Sequence, residues 1–351
     1  MKHHFCIFTG ARPNFMKVAP LMKAIDRTEG CDYQLVYAGV VGDPTIEDSL
    51  FDDLQIRHPD AFLGVECDNL NELTGKVMEG FECYLTTHET DTVIVVDDLA
   101  STMAAAIVTK KRGIRLAHLV AGTRSFDIKM PKEINRLVID GLSDLLFTAG
   151  VGACSIATRE GAENHKIYLV GNILMDTLRM NHSRWRRPSC VREGQEYLVF
   201  TLNRKALIAD EGNLFRMLHA IVETAGDIPV VAPLRGRAKE LVERHGGLHV
   251  VEPLSYLEFG WLTSHAKGII TDSGNVAEEA TFNHVPCITL NSYTEHAETV
   301  KQGTNVLVGE DADTLRLLLT DMLAGKWKDS SLPDRWDGRT ADRIVKILTE
   351  H

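Results

Sequence analysis

The chain has 351 residues, with 38 Lys and Arg against 49 Asp and Glu, for a formal net charge of −11. That length predicts about two domains of roughly 150 residues each, with enough core to need no disulfide or metal staple. The acidic balance excludes a broad nucleic-acid or anionic-membrane surface, which would draw on Lys and Arg; a small cationic pocket is still compatible with it. Seven scattered cysteines without a CxxC pair predict buried small hydrophobes and free thiols, not a disulfide framework. The apolar runs are strand-length, below the roughly 18 residues of a membrane helix, and the opening run is too short for a signal peptide. These features predict a reduced, cytoplasmic protein.

In chain order, a strand at 4–9 is followed by a helix at 14–25 and a strand at 33–37. A helix at 69–86, a strand at 92–96 and a helix at 101–111 follow. Next come a strand at 115–120, a helix at 132–142, and strands at 144–148 and 167–170. The stretch 175–196 is polar and basic, contains Pro188, and reads as a connection. Strands then resume at 197–201, 230–233, 248–251, 268–271, 287–290 and 305–308. Near-continuous apolar strands alternating with helices predict parallel sheets covered on both faces. The expected organisation is an α/β chain of two Rossmann-like domains, 1–174 and 197–337, with a cleft between them. Ligands of such sheets bind beyond the carboxyl ends of the strands, so motifs just after strands carry the functional weight.

Four motifs stand there. Gly10 to Lys17 runs from a strand into a helix, and Arg12, Lys17 and the helix N-terminus suit an anion. Asp97 and Asp98 follow a strand, where paired carboxylates serve as a base, a metal ligand or ordinary helix-start charges. His118 lies on an apolar strand, where a satisfied core group is the commoner role, and is followed by Ala121 to Ser125 and by Pro131, Lys132 and Glu133. Ser273, Gly274 and Asn275 open a helix at 276–282, offering backbone amides to a phosphate, with Glu278 or Glu279 available to ribose hydroxyls.

Taken in order, these and other segments give the chain its resemblance to a known family. GARPNFMKVAPLMKAI, the Asp98 and Ser101-Thr102 segment, AGTRS, MPKEINR, DLLFT, VGNILMDTL, TDSGNVAEEATFNHVPCITL, ETVKQGTNVLVG and the tail from Trp336 to Ile344 are collinear with it. The chain resembles the non-hydrolysing UDP-N-acetylglucosamine 2-epimerases. The resemblance implies a glycosyltransferase-B-like fold whose final helix, in 338–351, returns to the first domain. It implies a UDP-sugar substrate, a homodimer, and no cofactor or metal. The implied reaction inverts C2 of UDP-GlcNAc by eliminating UDP to a 2-acetamidoglucal and adding it back. It further implies that Ser273, Gly274 and Asn275 meet the diphosphate, Glu279 the ribose, and Arg12 and Lys17 the phosphates and sugar. Asn203, Arg204, Arg235 and His296 fall at other UDP-binding positions.

Several positions depart from the family pattern. The Glu of its HVEAG segment aligns with Val120, and the first carboxylate of its PEE segment with Lys132. Two of its His residues align with Asn203 and Arg235, and an Arg aligns with His296. The candidate acid–base groups are then Asp98, Glu133, His118 and Asp97. Besides an epimerase with this rearranged set, a UDP-sugar hydrolase or glycosyltransferase, and a catalytically weak nucleotide-sugar binding protein, fit the same scaffold.

Overall fold

A computed structural model describes residues 2–350. The chain divides into two compact units, 1–180 with 334–351, and 181–333. Residues 175–180, read from sequence as part of a connection, belong to unit 1; the rest of that stretch belongs to unit 2.

Unit 1 runs β1 (His3–Thr9), α1 (Arg12–Asp26), β2 (Cys31–Tyr37), α2 (Asp48–Leu54), β3 (Ala61–Phe62), α3 (Leu70–Thr87) and β4 (Thr92–Val96). It continues with α4 (Ala100–Lys111), β5 (Arg115–Ala121), α5 (Pro131–Leu142), β6 (Leu145–Thr148), α6 (Val151–Arg159), β7 (Ile167–Leu169) and α7 (Ile173–Asn181). Unit 2 runs β8 (Leu198–Phe200), α8 (Lys205–Ala209), α9 (Glu211–Ala225), β9 (Val230–Pro233), α10 (Gly236–His245), β10 (His249–Val251) and α11 (Tyr256–Ser264). After it come β11 (Gly268–Thr271), α12 (Gly274–Phe282), β12 (Cys287–Thr289), α13 (Ala297–Lys301), β13 (Asn305–Leu307) and α14 (Ala312–Leu323). The last helix, α15 (Thr340–Glu350), packs on α1 of unit 1.

Both sheets are parallel. Their orders are β3-β2-β1-β4-β5-β6-β7 and β10-β9-β8-β11-β12-β13. The chain therefore reverses direction across each sheet between β1 and β4, and again between β8 and β11. Such a reversal opens a crevice at the carboxyl ends of the two central strands. Burial explains why the strands read as continuous apolar runs. In unit 2, Leu198, Phe200, Ala232, Ile270 and Ile288 point into one core with α9 and α14, while Val199, Val231, Ile269 and Cys287 point into another with α12. Alternate residues face opposite sides, and both sides are covered.

Two local devices shape the end of β1 and the helix after it. A Cβ on Gly10 would fall 2.1 Å from Ser101 Oγ, so only glycine lets the strand end approach α4. Pro20 inside α1 removes the amide that would bond the Met16 carbonyl, and Thr177 Oγ1 donates to that carbonyl instead, at 2.5 Å. Among the described residues, no helix is long and apolar enough to cross a membrane.

Candidate active site

In unit 1 the charged groups gather at the β1–β4 reversal. Asn14 Oδ1 accepts from the amides of Gly10 and Ala11, at 2.8 and 3.1 Å, which closes the turn into α1. Its Nδ2 donates to Asp97 Oδ2 at 2.9 Å, and Lys17 Nζ donates to Asp97 Oδ1 at 2.5 Å. Lys17 is only 5 % exposed, so this ammonium is a buried partner of Asp97 and not a surface charge. Arg12 stands apart, with Nε 3.0 Å from Glu47 Oε2 at the solvent edge.

Asp98, next in the chain, turns toward α5. Its Oδ2 accepts from Arg136 Nε at 2.8 Å and lies 2.6 Å from Nη2, and Lys132 Nζ is 3.5 Å from Oδ1. Burial alone would raise the Asp98 carboxyl, but Lys132 and Arg136 outweigh it and hold the group below the usual carboxylate range. Asp98 is therefore ionised at neutral pH.

Two of the expected catalytic groups, Glu133 and His118, are held by neighbouring polar groups. Glu133 accepts from the Ser125 amide and hydroxyl, each at 2.9 Å, from the Phe126 amide at 2.8 Å and from Arg136 Nη1 at 3.0 Å. Burial raises its carboxyl, but those amides lower it further, and it holds the 125–126 turn as a carboxylate. His118 is 2 % exposed, with Nδ1 2.6 Å from Asp140 Oδ1 and Nε2 donating to the Asp97 carbonyl at 3.0 Å. Both ring nitrogens are engaged, so His118 anchors the loop after β4. Asp140 also accepts from the Gly122 amide at 3.1 Å and pairs with Arg124 at 2.7 Å, and Arg124 pairs in turn with Glu160 at 2.5 Å.

Three residues without glycine's freedom hold positive φ at these strand ends: Asp97 at 60°, Val120 at 68° and Phe126 at 60°. For β-branched Val120 this is strained backbone, of the kind stored at functional sites. Sequence reasoning missed Asn14, Arg124, Arg136 and Asp140. Arg136 lay within the MPKEINR motif, but nothing in a single sequence showed which carboxylate it would meet.

In unit 2 the residues expected to bind UDP surround the β8–β11 reversal. Asp272 Oδ2 accepts from the amides of Asn203 and Arg204, at 2.6 and 2.5 Å. Its Oδ1 is buried without a partner, and burial pushes the carboxyl up despite those amides. Arg204 Nη1 reaches Asn291 Oδ1 at 2.9 Å and Glu310 Oε1 at 3.0 Å. Ser273 caps α12, its side chain accepting from the Val276 amide. The first amides of α12, from Gly274 and Asn275, have no acceptor within the helix. Glu279 is 6 % exposed, and burial beside Glu278 pushes it up to about 8. His296 Nδ1 lies 2.9 Å from Glu278 Oε1. Arg235, the residue before α10, is exposed.

These features define a class: a protein of two doubly wound, parallel α/β units, of glycosyltransferase-B-like type, with polar clusters where each sheet reverses. A family model described as UDP-N-acetylglucosamine 2-epimerase matches residues 23–349. The chain is 32 % identical to the UDP-N-acetylglucosamine 2-epimerase of Methanocaldococcus jannaschii over 363 residues, covering 98 % of each. It is 33 % identical to the UDP-2,3-diacetamido-2,3-dideoxy-D-glucuronate 2-epimerase of Pseudomonas aeruginosa, covering 87 % of this chain and 88 % of that one. The crystal structure of the M. jannaschii enzyme in complex with UDP-GlcNAc and UDP superposes with a TM-score of 0.86, covering 99 % of this chain and 100 % of that one at 32 % identity. The chain belongs to the UDP-N-acetylglucosamine 2-epimerase family.

Proposed function

We propose that this protein interconverts UDP-GlcNAc and UDP-ManNAc by eliminating UDP and adding it back. The whole-length likeness to relatives named for 2-epimerisation carries this reading. From unit 2, the open amides of Gly274 and Asn275, with Ser273, hold the diphosphate, and Glu279 takes the ribose as a neutral carboxyl at pH 7. Asn203, Arg204, Arg235 and His296 complete the nucleotide contacts. From unit 1, ionised Asp98 accepts the C2 proton, and the Asp97–Lys17 pair is the second proton-handling group, with Arg12 toward the phosphates. Glu133 and His118 support these groups through the contacts above.

The protein acts in the cytoplasm as a homodimer in this reading. Support for self-association comes from the exposed apolar side chains of Phe126, Ile128, Ile134 and Leu137 on and just before α5; sedimentation at micromolar concentration tests it. The test of function is NMR of UDP-GlcNAc incubated with the pure protein in D₂O. Deuterium at C2 together with the 2-epimer is expected. UDP release without epimer would point instead to a hydrolase or transferase, and unchanged substrate at high enzyme concentration to a non-catalytic binder.

A further inference from the structure

Unit 1 holds a cavity of about 400 Å³ where the carboxyl-terminal ends of α5 and α6 meet. That volume is within the range of small-molecule sites, about 300–1,000 Å³. None of its lining residues is among those assigned to the sugar nucleotide. Leu137 and Gly141 of α5, Leu146 of β6 and Ala157 of α6 give it carbon walls, and the turn at 160–163 closes one side. Gly141 lies in the last turn of α5 without a positive φ, and a Cβ there would meet nothing within 4 Å. Glycine weakens a helix relative to alanine, and here neither backbone conformation nor a close neighbour requires it. Its effect is to leave the cavity open.

The polar part of the lining is anionic. Asp140, Glu160 and Glu163 stand against Lys166. Arg124, paired with Asp140 and Glu160, still leaves one net negative charge. Both helices end at the cavity, so the negative ends of their dipoles add to the field. Asp140 contributes charge without a further contact, because His118, the Gly122 amide and Arg124 already take its oxygens. Glu160 accepts from Arg124 Nε at 3.0 Å and Nη2 at 2.5 Å, which leaves half of a carboxylate's roughly four acceptor sites. Glu163 pairs with His165 at 3.3 Å and Lys166 at 3.9 Å, and its side chain is 63 % exposed, so these pairs are weak and exchangeable. Among the described residues, no group of three or more His, Cys, Asp or Glu could hold a metal ion. A cation with a hydrocarbon body satisfies both kinds of wall.

We propose that this cavity binds an aliphatic polyamine, with ammonium groups on Glu160 and Glu163 and methylenes against Leu137, Leu146 and Ala157. Aliphatic ammonium groups stay charged at neutral pH, and their hydrogen bonds to carboxylates are charge-assisted. The site is separate from the sugar-nucleotide groups and opposite to them in the charge it takes.

The test is calorimetric titration of the full chain with spermidine, at about 0.15 M salt to screen diffuse attraction to the acidic exterior. One saturable site is expected, and none for hexanediol, a neutral chain of similar width. Gly141→Leu fills the cavity and leaves the charge of the chain unchanged. It should weaken spermidine binding at least tenfold without lowering the midpoint of thermal unfolding. Glu163→Gln should weaken it roughly tenfold, the loss of one charge-assisted hydrogen bond. Leu137, shared with the face proposed for self-association, is left as it is. Should Gly141→Leu fail to fold, Glu163→Gln, a surface change, decides alone. Absence of a saturable site overturns the proposal, as does hexanediol binding as tightly as spermidine. Wild-type affinity in the folded variants would assign spermidine to the acidic surface at large and overturn it too.

Discussion

Replacing Arg136 with Met removes a buried cation that two carboxylates of unit 1 share. Arg136 is 5 % exposed, bonds Asp98 Oδ2 through Nε and Nη2, and bonds Glu133 Oε2 through Nη1. Met retains an apolar stem but no donors. Glu133 would keep the two amides and the Ser125 hydroxyl. Asp98 would keep Lys132 at 3.5 Å, a side chain 63 % exposed and well screened by water. Breaking one side of a buried ion pair costs about 3–5 kcal/mol. Because Glu133 stays bonded, the low end applies, about 3 kcal/mol. At about 2–4 °C per kcal/mol for a unit of this size, calorimetry at pH 7 should show unit 1 melting about 6–12 °C lower. The folded pKa of Asp98 lies below its unfolded value, so its stabilisation is full above the unfolded value and is lost as pH falls through the folded one. The gap between wild type and variant should therefore narrow toward pH 3. Adding Asp98→Asn to the variant should cost little more. A loss under about 1 kcal/mol at pH 7, or a gap constant down to pH 3, would refute the charge balance described here.

Three further outcomes are expected. Asp98→Asn should slow C2 deuterium incorporation by about 10²–10⁴-fold with little change in UDP-GlcNAc affinity; full activity would remove Asp98 from the mechanism. Asp176 accepts from the amides of Thr340 and Ala341 at the start of α15, yet burial pushes its carboxyl up to about 6. A raised carboxylate pKa means that stability is lost as pH rises from about 4 to 6. Asp176→Asn should therefore gain on wild type over that interval, by on the order of 2 kcal/mol, and a relative loss in thermal scans would contradict this. At the left-handed φ of Val120, Val120→Gly should be more stable than Val120→Ala by about 1 kcal/mol, because only the glycine is free of the Cβ clash; an alanine variant that melts higher than the glycine one would show that the backbone there is not strained.

The Val120 position shows how the site differs from its family pattern. The strand end keeps a left-handed conformation at φ 68°, but carries a side chain that moves no proton. Lys132 places a cation beside Asp98 where the pattern has a carboxylate, which favours the ionised, weakly basic form of Asp98. In the mechanism proposed above these changes slow proton abstraction by Asp98, and the deuterium experiment measures its rate directly.

The alternation of apolar runs with helical patterns was enough to specify two parallel sheets and the strands that carry the motifs. β4, β9 and β11 fall at the expected residues. That information is local: a strand covered on both faces must be apolar at every position, and period and length separate it from a helix. Local pattern failed where an element draws its stability from neighbours. The two-residue β3 and the short α2 and α6 were not anticipated, and α7 was read partly as linker because it is polar at several positions. For the candidate catalytic residues, sequence named side chains but not the partners they meet. His118 and Glu133 are chemically fit for acid–base work until their partners are known. His118 meets Asp140 from 22 residues away, and Glu133 meets the 125–126 turn. Those partners come together only when the strands pair and α5 packs on the sheet. A side chain's protonation and freedom depend on what surrounds it, and that is set by tertiary structure.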